Sequence, residues 1–226
     1  MKPLSVMSRT IATWPAPSFN WGEGEDADDA IGEVNDEYVE QFDRVNSMAA
    51  QAYVLATVEW IYWYVRDHLT PEDARDYEEY IEGHWVWICT LPRQVPPPPY
   101  DPEGDETTLR QVCNDAILTG LDRISGGIYS LKYHETAVDA AYLTQLCEYI
   151  FPEKHAFHEW RVKVLDRLQR YFPDDAVSFK KTTVCRSIFD TDLPAASIDQ
   201  AAACKDFVSG ALSAGDNHYL PLEKPD

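Results

Sequence analysis

The sequence predicts an all-α protein, a bundle of about six to eight helices with a proline-rich connector. Apolar residues recur at helical spacing along most of the chain, and one run of helical length, Asn46 to Val65, is apolar on nearly every side. Strand-like alternation is confined to IYSLKY (128–133) and AVSFKKTTV (176–184). With 226 residues, 45% of them hydrophobic and 12% aromatic, the chain can bury a sizeable core.

Residues 1–33 combine Pro15, Pro17, glycines and the acidic run EGEDADD without a sustained period, which predicts a flexible acidic arm. A helical hairpin subdomain is expected over 34–91. It opens with Val34, Tyr38, Phe42 and Val45 on one helix face, leaving Asp36, Glu40 and Asp43 outward. After the apolar helix 46–65, Thr70 can cap a second helix, Pro71 suits its first position, and Asp73 completes a variant capping box. Ala74, Tyr77, Ile81, Trp85 and Ile88 form that helix's inner stripe, with Glu72, Asp76 and Glu79 on the far side. The short link HLTP folds the two helices back as an antiparallel pair.

The prolines of 92–106 lack amide donors and favour extended geometry, so this stretch reads as a stiff connector. A second helical subdomain over 107–212 is expected to pack on the first. Leu109, Val112, Cys113, Ala116, Ile117 and Leu121 begin it, and the glycine pair at 126–127 is expected to end that helix. Further helices follow at 135–150 and after Pro152, the latter burying Phe157, Trp160, Val164, Leu165, Leu168 and Phe172. A last helix runs from Pro194 to Leu212, started by Asp192 and stopped near Gly215, with a tail over 213–226.

Charge narrows the function. The chain has 39 acidic against 19 basic residues, a net charge of -20, so a nucleic-acid backbone would be repelled and a basic protein partner attracted. The acids concentrate early, three basic against ten acidic over 1–45, whereas 154–170 holds five Lys or Arg against two acids. Such polarity would draw the two halves of the fold together. Five cysteines form no CxxC pair, and an odd number cannot all be bridged, which fits a reducing cytoplasm. The N-terminal stretch lacks the apolar core of a signal peptide, and the 46–65 run carries Gln51, Thr57 and Glu59, so no membrane span is expected.

Catalytic signatures are lacking. HAFHE places His155, His158 and Glu159 on neighbouring turns, but it is neither HExxH nor a pair of ExxH motifs. No GxSxG elbow, Walker loop or dinucleotide fingerprint occurs. No catalytic residue, metal or cofactor is therefore assigned. The most unusual position is Glu59, set among Trp60, Tyr62, Trp63 and Tyr64 after an uncharged run. A buried carboxylate needs a partner, and helix spacing nominates Arg66 or a nearby tyrosine or tryptophan donor.

The segment AQAYVLATVEWIYWYVRDH followed by PEDARDYEEYIEGHWVWI resembles the helical hairpin of bacterial immunity proteins, which neutralise toxins passed between competing cells. The likeness spans residues 48–90 and carries no strict motif. It implies a non-enzymatic binding protein that occludes a cognate toxin's active site through an acidic surface. From charge and spacing, the expected contacts are Asp36, Glu40, Asp43, Glu72, Asp76 and Glu79, with Tyr80 as aromatic anchor. Two alternatives stand beside it, an enzyme with an interhelical site near Glu59 and His84, and an acidic mimic of nucleic acid. Homo-oligomerisation is left open.

Overall fold

The computed structural model describes residues 1–22, 26–90, 109–130, 133–174, 182–215 and 217–220. The proline-rich connector at 92–106 and most of the 176–184 strand candidate lie outside these residues. Nine α-helices occur among the described residues: α1 Ser5–Ile11, α2 Ala27–Ile31, α3 Asp36–Phe42, α4 Ser47–Val65, α5 Pro71–Thr90, α6 Leu109–Ser130, α7 Tyr133–Ile150, α8 Lys154–Tyr171 and α9 Gln200–Ala214. No β-strand forms among them, so the all-α reading holds, and Ile128–Ser130 is the end of α6. Seven of the nine helices fall within 34–214, and the additional two lie in the stretch expected to be a loose arm.

Helix α4 is the axis. Every residue of it except Trp63 is buried, because α5, α6 and α7 surround it and α1 touches it. A helix enclosed on all sides needs no polar face. Its start is fixed by Asn46, whose side chain accepts from the Ala49 amide, and whose own amide donates to Phe172 O at 3.0 Å. Beyond Val65 a 3-10 turn at Arg66–His68 reverses the chain, and the Asp73 amide donates to Thr70 Oγ1 at 3.0 Å. The hairpin and its cap are therefore as the turn chemistry requires.

Trp60 sits at the middle of α4, fully buried, with Trp14 stacked at 5.7 Å and Trp160 edge-on at 5.6 Å. Phe151 and Phe157 close the same cluster. Trp14 comes from the N-terminal stretch, as do buried Leu4, Val6, Met7 and Trp21. Residues 1–22 are thus packed into the bundle, correcting the flexible arm. Their anchors are single large side chains in a seven-residue helix and a loop, each burying much apolar area without generating a period.

One continuous cluster of buried residues runs from Leu4 to Cys204 and draws on both expected subdomains, which share one core. Gly126 and Gly127 do not end α6, which continues to Ser130; a helical glycine costs only about 1 kcal/mol relative to alanine. At the other end of the chain, Asp199 rather than Asp192 caps α9, accepting from the Ala202 amide, and Gly215 closes it at φ 73°. That left-handed conformation favours glycine.

Gly120 marks the closest approach of α6 to α4, because a Cβ there would lie 2.8 Å from Val58 Cγ2. Val58 is fully buried and branched at Cβ, so it has little room to turn away. Gly120→Ala is expected to lower stability by about 1–2 kcal/mol despite alanine's higher helix propensity. Chemical denaturation of this variant, of Val58→Ala and of the double variant should show the two changes partly cancelling.

Candidate functional site

The Glu59 carboxylate is fully buried and is met by four donors from three parts of the chain. Arg186 grips both oxygens, with Nε donating at 2.8 Å and Nη2 donating to the other oxygen. Trp85 Nε1 of α5 donates at 3.1 Å, and Trp63 Nε1 donates at 3.4 Å from one turn along α4. Arg186 Nη2 also donates to Lys2 O at 2.6 Å, so N-terminal backbone joins the same centre. Burial lowers the Arg186 pKa, but the adjoining Glu59 carboxylate more than offsets this and the net shift is upward. Of the partners expected from helix spacing, a tryptophan donor is present in Trp63, whereas Arg66 donates to Tyr62 Oη at 3.1 Å and lies 5.0 Å over the Trp63 ring. The Trp63 donor was within reach of helix spacing; Arg186, 127 residues distant, was not.

Arg186 is held in place by a clamped loop. Arg167 of α8 donates to Ile188 O and Asp190 O at 2.9 Å, and Trp160 Nε1 donates to Phe189 O at 2.8 Å. The Asp190 carboxylate accepts from Ser5 Oγ at 2.6 Å and from the Ser5 amide at 3.2 Å, at the start of α1. The basic excess of α8 is thereby partly spent inside the fold. Arg161 is buried beneath the Tyr38 ring and donates to Gln41 Oε1 at 2.8 Å. Of these two arginines only Arg161 reaches residues 1–45, and it does so through Gln41 and Tyr38 and not through a carboxylate, whereas Arg167 meets backbone carbonyls of the 188–193 loop.

His84, the second residue of the enzyme alternative, is fully buried, with Nδ1 2.9 Å from Tyr80 O and no partner on Nε2. Burial pushes its pKa down to about 4, so the ring is neutral at pH 7. A cleft of about 630 Å³ opens beside the α4–α5 turn, lined by Arg66, Asp67, Arg75, Glu78, Glu79 and Glu82 among others, and neither Glu59 nor His84 reaches it. Among the described residues no group of His, Cys, Asp and Glu side chains is placed to hold a metal ion. His155 of the HAFHE stretch is exposed and pairs with Glu159 at 3.2 Å.

The expected contact residues separate into two sets. Asp36 and Glu40 are exposed on α3, while Asp43 is half-buried with Oδ1 enclosed. Glu72 is exposed at the start of α5. Helix α3 rests on α7 and, through Gln41, on α8, whereas α5 rests on α4 and α9, so the two sets do not merge into one patch. Asp76 and Glu79 are occupied by the chain itself, by His218 and by the hydroxyl of Tyr219. Tyr80 is fully buried, its ring 4.4 Å from His84 and 4.9 Å from Tyr219, and so cannot anchor a partner. Helix periodicity places the polar residues of α5 on its far side, but α9 and residues 217–220 cover that side around Asp76, Glu79 and Val86.

The exposed acidic surface lies on α2, α3 and their connection. Residues 26–43 contain eight Asp or Glu and no Lys or Arg, and Asp26, Asp28, Asp29, Glu33, Asp36, Glu37 and Glu40 are exposed. Neighbouring helices hold this strip at several points. The Asn35 amide donates to Gln145 Oε1 at 2.7 Å, Gln145 Nε2 donates to Glu33 O at 3.2 Å, and Tyr38 Oη donates to Glu148 at 2.9 Å. Arg123 bridges Asp28 at 3.2 Å and Asp139 at 3.4 Å. Tyr149, 40% exposed, stands on the same helix α7 and stacks on Trp21 at 5.4 Å.

No known protein family, curated protein or solved structure matches the chain. None of the described helices is long and apolar enough to cross a membrane.

Proposed function

We propose that this is a binding protein whose acidic strip at residues 26–43 covers a basic groove on a protein partner. In its specific form the partner is a cognate bacterial toxin, and the protein acts as its immunity factor. The observation that carries the reading is the run of eight carboxylates without a base, seven of them exposed. Such a surface speeds encounter with a cationic protein and repels nucleic acid. Its attachments to α7 and α8 reduce the ordering cost of association, since side chains held before binding lose less freedom. The resemblance of residues 48–90 to immunity proteins supports the same reading.

An immunity gene is expected to lie beside the gene of its toxin, so the product of such a neighbour is the partner to test. Stopped-flow association with that purified product is expected to slow at least about tenfold between low and physiological salt. Asp36→Lys with Glu40→Lys should slow it by a similar factor at low salt, and circular dichroism should be unchanged because both residues are exposed. Association indifferent to salt and to both reversals would overturn the electrostatic reading.

A further inference from the structure

The face of α5 that sequence alone leaves bare is covered by residues 217–220. His218 stands between two carboxylates, with Nδ1 2.5 Å from Glu79 and Nε2 3.3 Å from Asp76. Its own amide also donates to Glu79 at 3.2 Å. Tyr219 Oη donates to Asp76 at 3.2 Å, and its ring meets Tyr80 edge-on at 4.9 Å. Asn217 Nδ2 donates to Glu79 O at 2.8 Å and lies 3.1 Å from Glu82, while Leu220 is buried against Val86 and Ala211.

A neutral imidazole has one N–H and one bare lone pair. It can donate to one of these carboxylates, and the other then faces a nitrogen lone pair. Only the imidazolium donates to both, with charge assistance on each bond. We propose that residues 217–220 form a proton-dependent latch, closed when the imidazolium of His218 bridges Asp76 and Glu79, and loosened when it loses its proton. Charged and titratable groups of the described residues around the ring take part in the balance. Asp76 and Glu79 from α5 attract the imidazolium, Arg75 competes for Glu79 from 3.8 Å, and Tyr219 shares Asp76. Glu82 is engaged through Asn217.

Opening returns Asp76 and Glu79 to solvent beside the acidic cleft, whose wall includes Glu79 and Asn217. The latch therefore sets how much of the α5 acidic surface is presented as pH changes. It concerns a different face from the 26–43 strip and stands whether or not that strip binds a partner.

Nuclear magnetic resonance on the full chain tests the latch through the contact between the Tyr219 and Tyr80 rings and the amide exchange of residues 217–220. In the wild type, the ring contact should be strong at pH 5.5, and amide protection should fall about tenfold by pH 8 as the charge-assisted bonds are lost. His218→Gln should show the open behaviour at both pH values. Asp76→Asn with Glu79→Gln should remove the pH dependence while leaving the histidine in place. A wild-type segment equally closed, or equally open, at both pH values would overturn the latch. So would pH dependence that survives in either variant.

Discussion

Arg186→Met is expected to cost about 3–5 kcal/mol, a large share of the stability of a domain this size. The change leaves the Glu59 carboxylate in a fully enclosed site with two indole donors and no counter-charge. It also removes the donor to Lys2 O, loosening the N-terminal stretch from the core. The charge and its burial can be separated experimentally. Glu59→Met in the same chain removes the stranded carboxylate, and the double variant should be more stable than Arg186→Met alone, because an apolar pair of similar volume avoids desolvation. Urea denaturation of the singles and the double gives the coupling directly. A double variant no better than Arg186→Met alone would show that the guanidinium acts chiefly through the loop it belongs to.

The second large effect concerns acid. Two buried groups have pKa values displaced in opposite senses. Burial lowers His84 to about 4, and burial raises Asp139 to about 6 despite the adjoining Arg123. For His84 the unfolded chain takes up a proton near pH 6.5 while the folded chain resists it to about 4. Its contribution to stability is complete above pH 6.5 and is lost as pH falls toward 4. For Asp139 the folded chain takes up its proton first, near pH 6, so stability is gained as pH falls from 6 toward its ordinary value of 3.8. Each displacement is worth about 3 kcal/mol at full development. The two nearly cancel between pH 4 and 6.

Removing either partner exposes the other. Relative to wild type, His84→Leu should become progressively more stable from pH 6.5 to 4, whereas Asp139→Asn should lose its advantage over the same interval. At pH 7 Asp139→Asn should itself be the more stable protein, since it removes a carboxylate held ionised against its burial. Urea midpoints at pH 7, 5.5 and 4.5 check both, and parallel pH curves for the three proteins would contradict the opposed titrations.

The parts of the fold legible in sequence are those fixed by nearest neighbours along the chain. The α4–α5 hairpin follows from Thr70, Pro71 and two apolar patterns, and the six residues read as the inner face of α8 are all buried. Periodicity could not show what meets each helix from elsewhere. It marked Glu59 as needing a partner, yet its counter-charge comes from Arg186 in a 3-10 turn with no helical stripe to reveal it. The packing of the N-terminal stretch escapes periodicity for the same reason, since Trp14 and Trp21 act singly. On α5, the acidic side looked free because nothing local covers it. Asp76 and Glu79 are covered by His218 and Tyr219, more than 130 positions away. Of the residues nominated for a partner, Asp36, Glu40 and Glu72 are exposed, whereas Tyr80 lies inside.

The pairing of Glu59 with Arg186 also governs the order in which the molecule can be completed as it is made. Helix α4 is synthesised early and is the most apolar of the long helices, yet its one acidic side chain does not meet its counter-charge until 127 further residues have followed. Until then a nascent α4 buried by α5, α6 and α7 would enclose a carboxyl group without its guanidinium partner. The chain therefore has reason to keep its axial helix hydrated or loosely gathered on the ribosome, committing to the dry core only when the loop bearing Arg186 arrives.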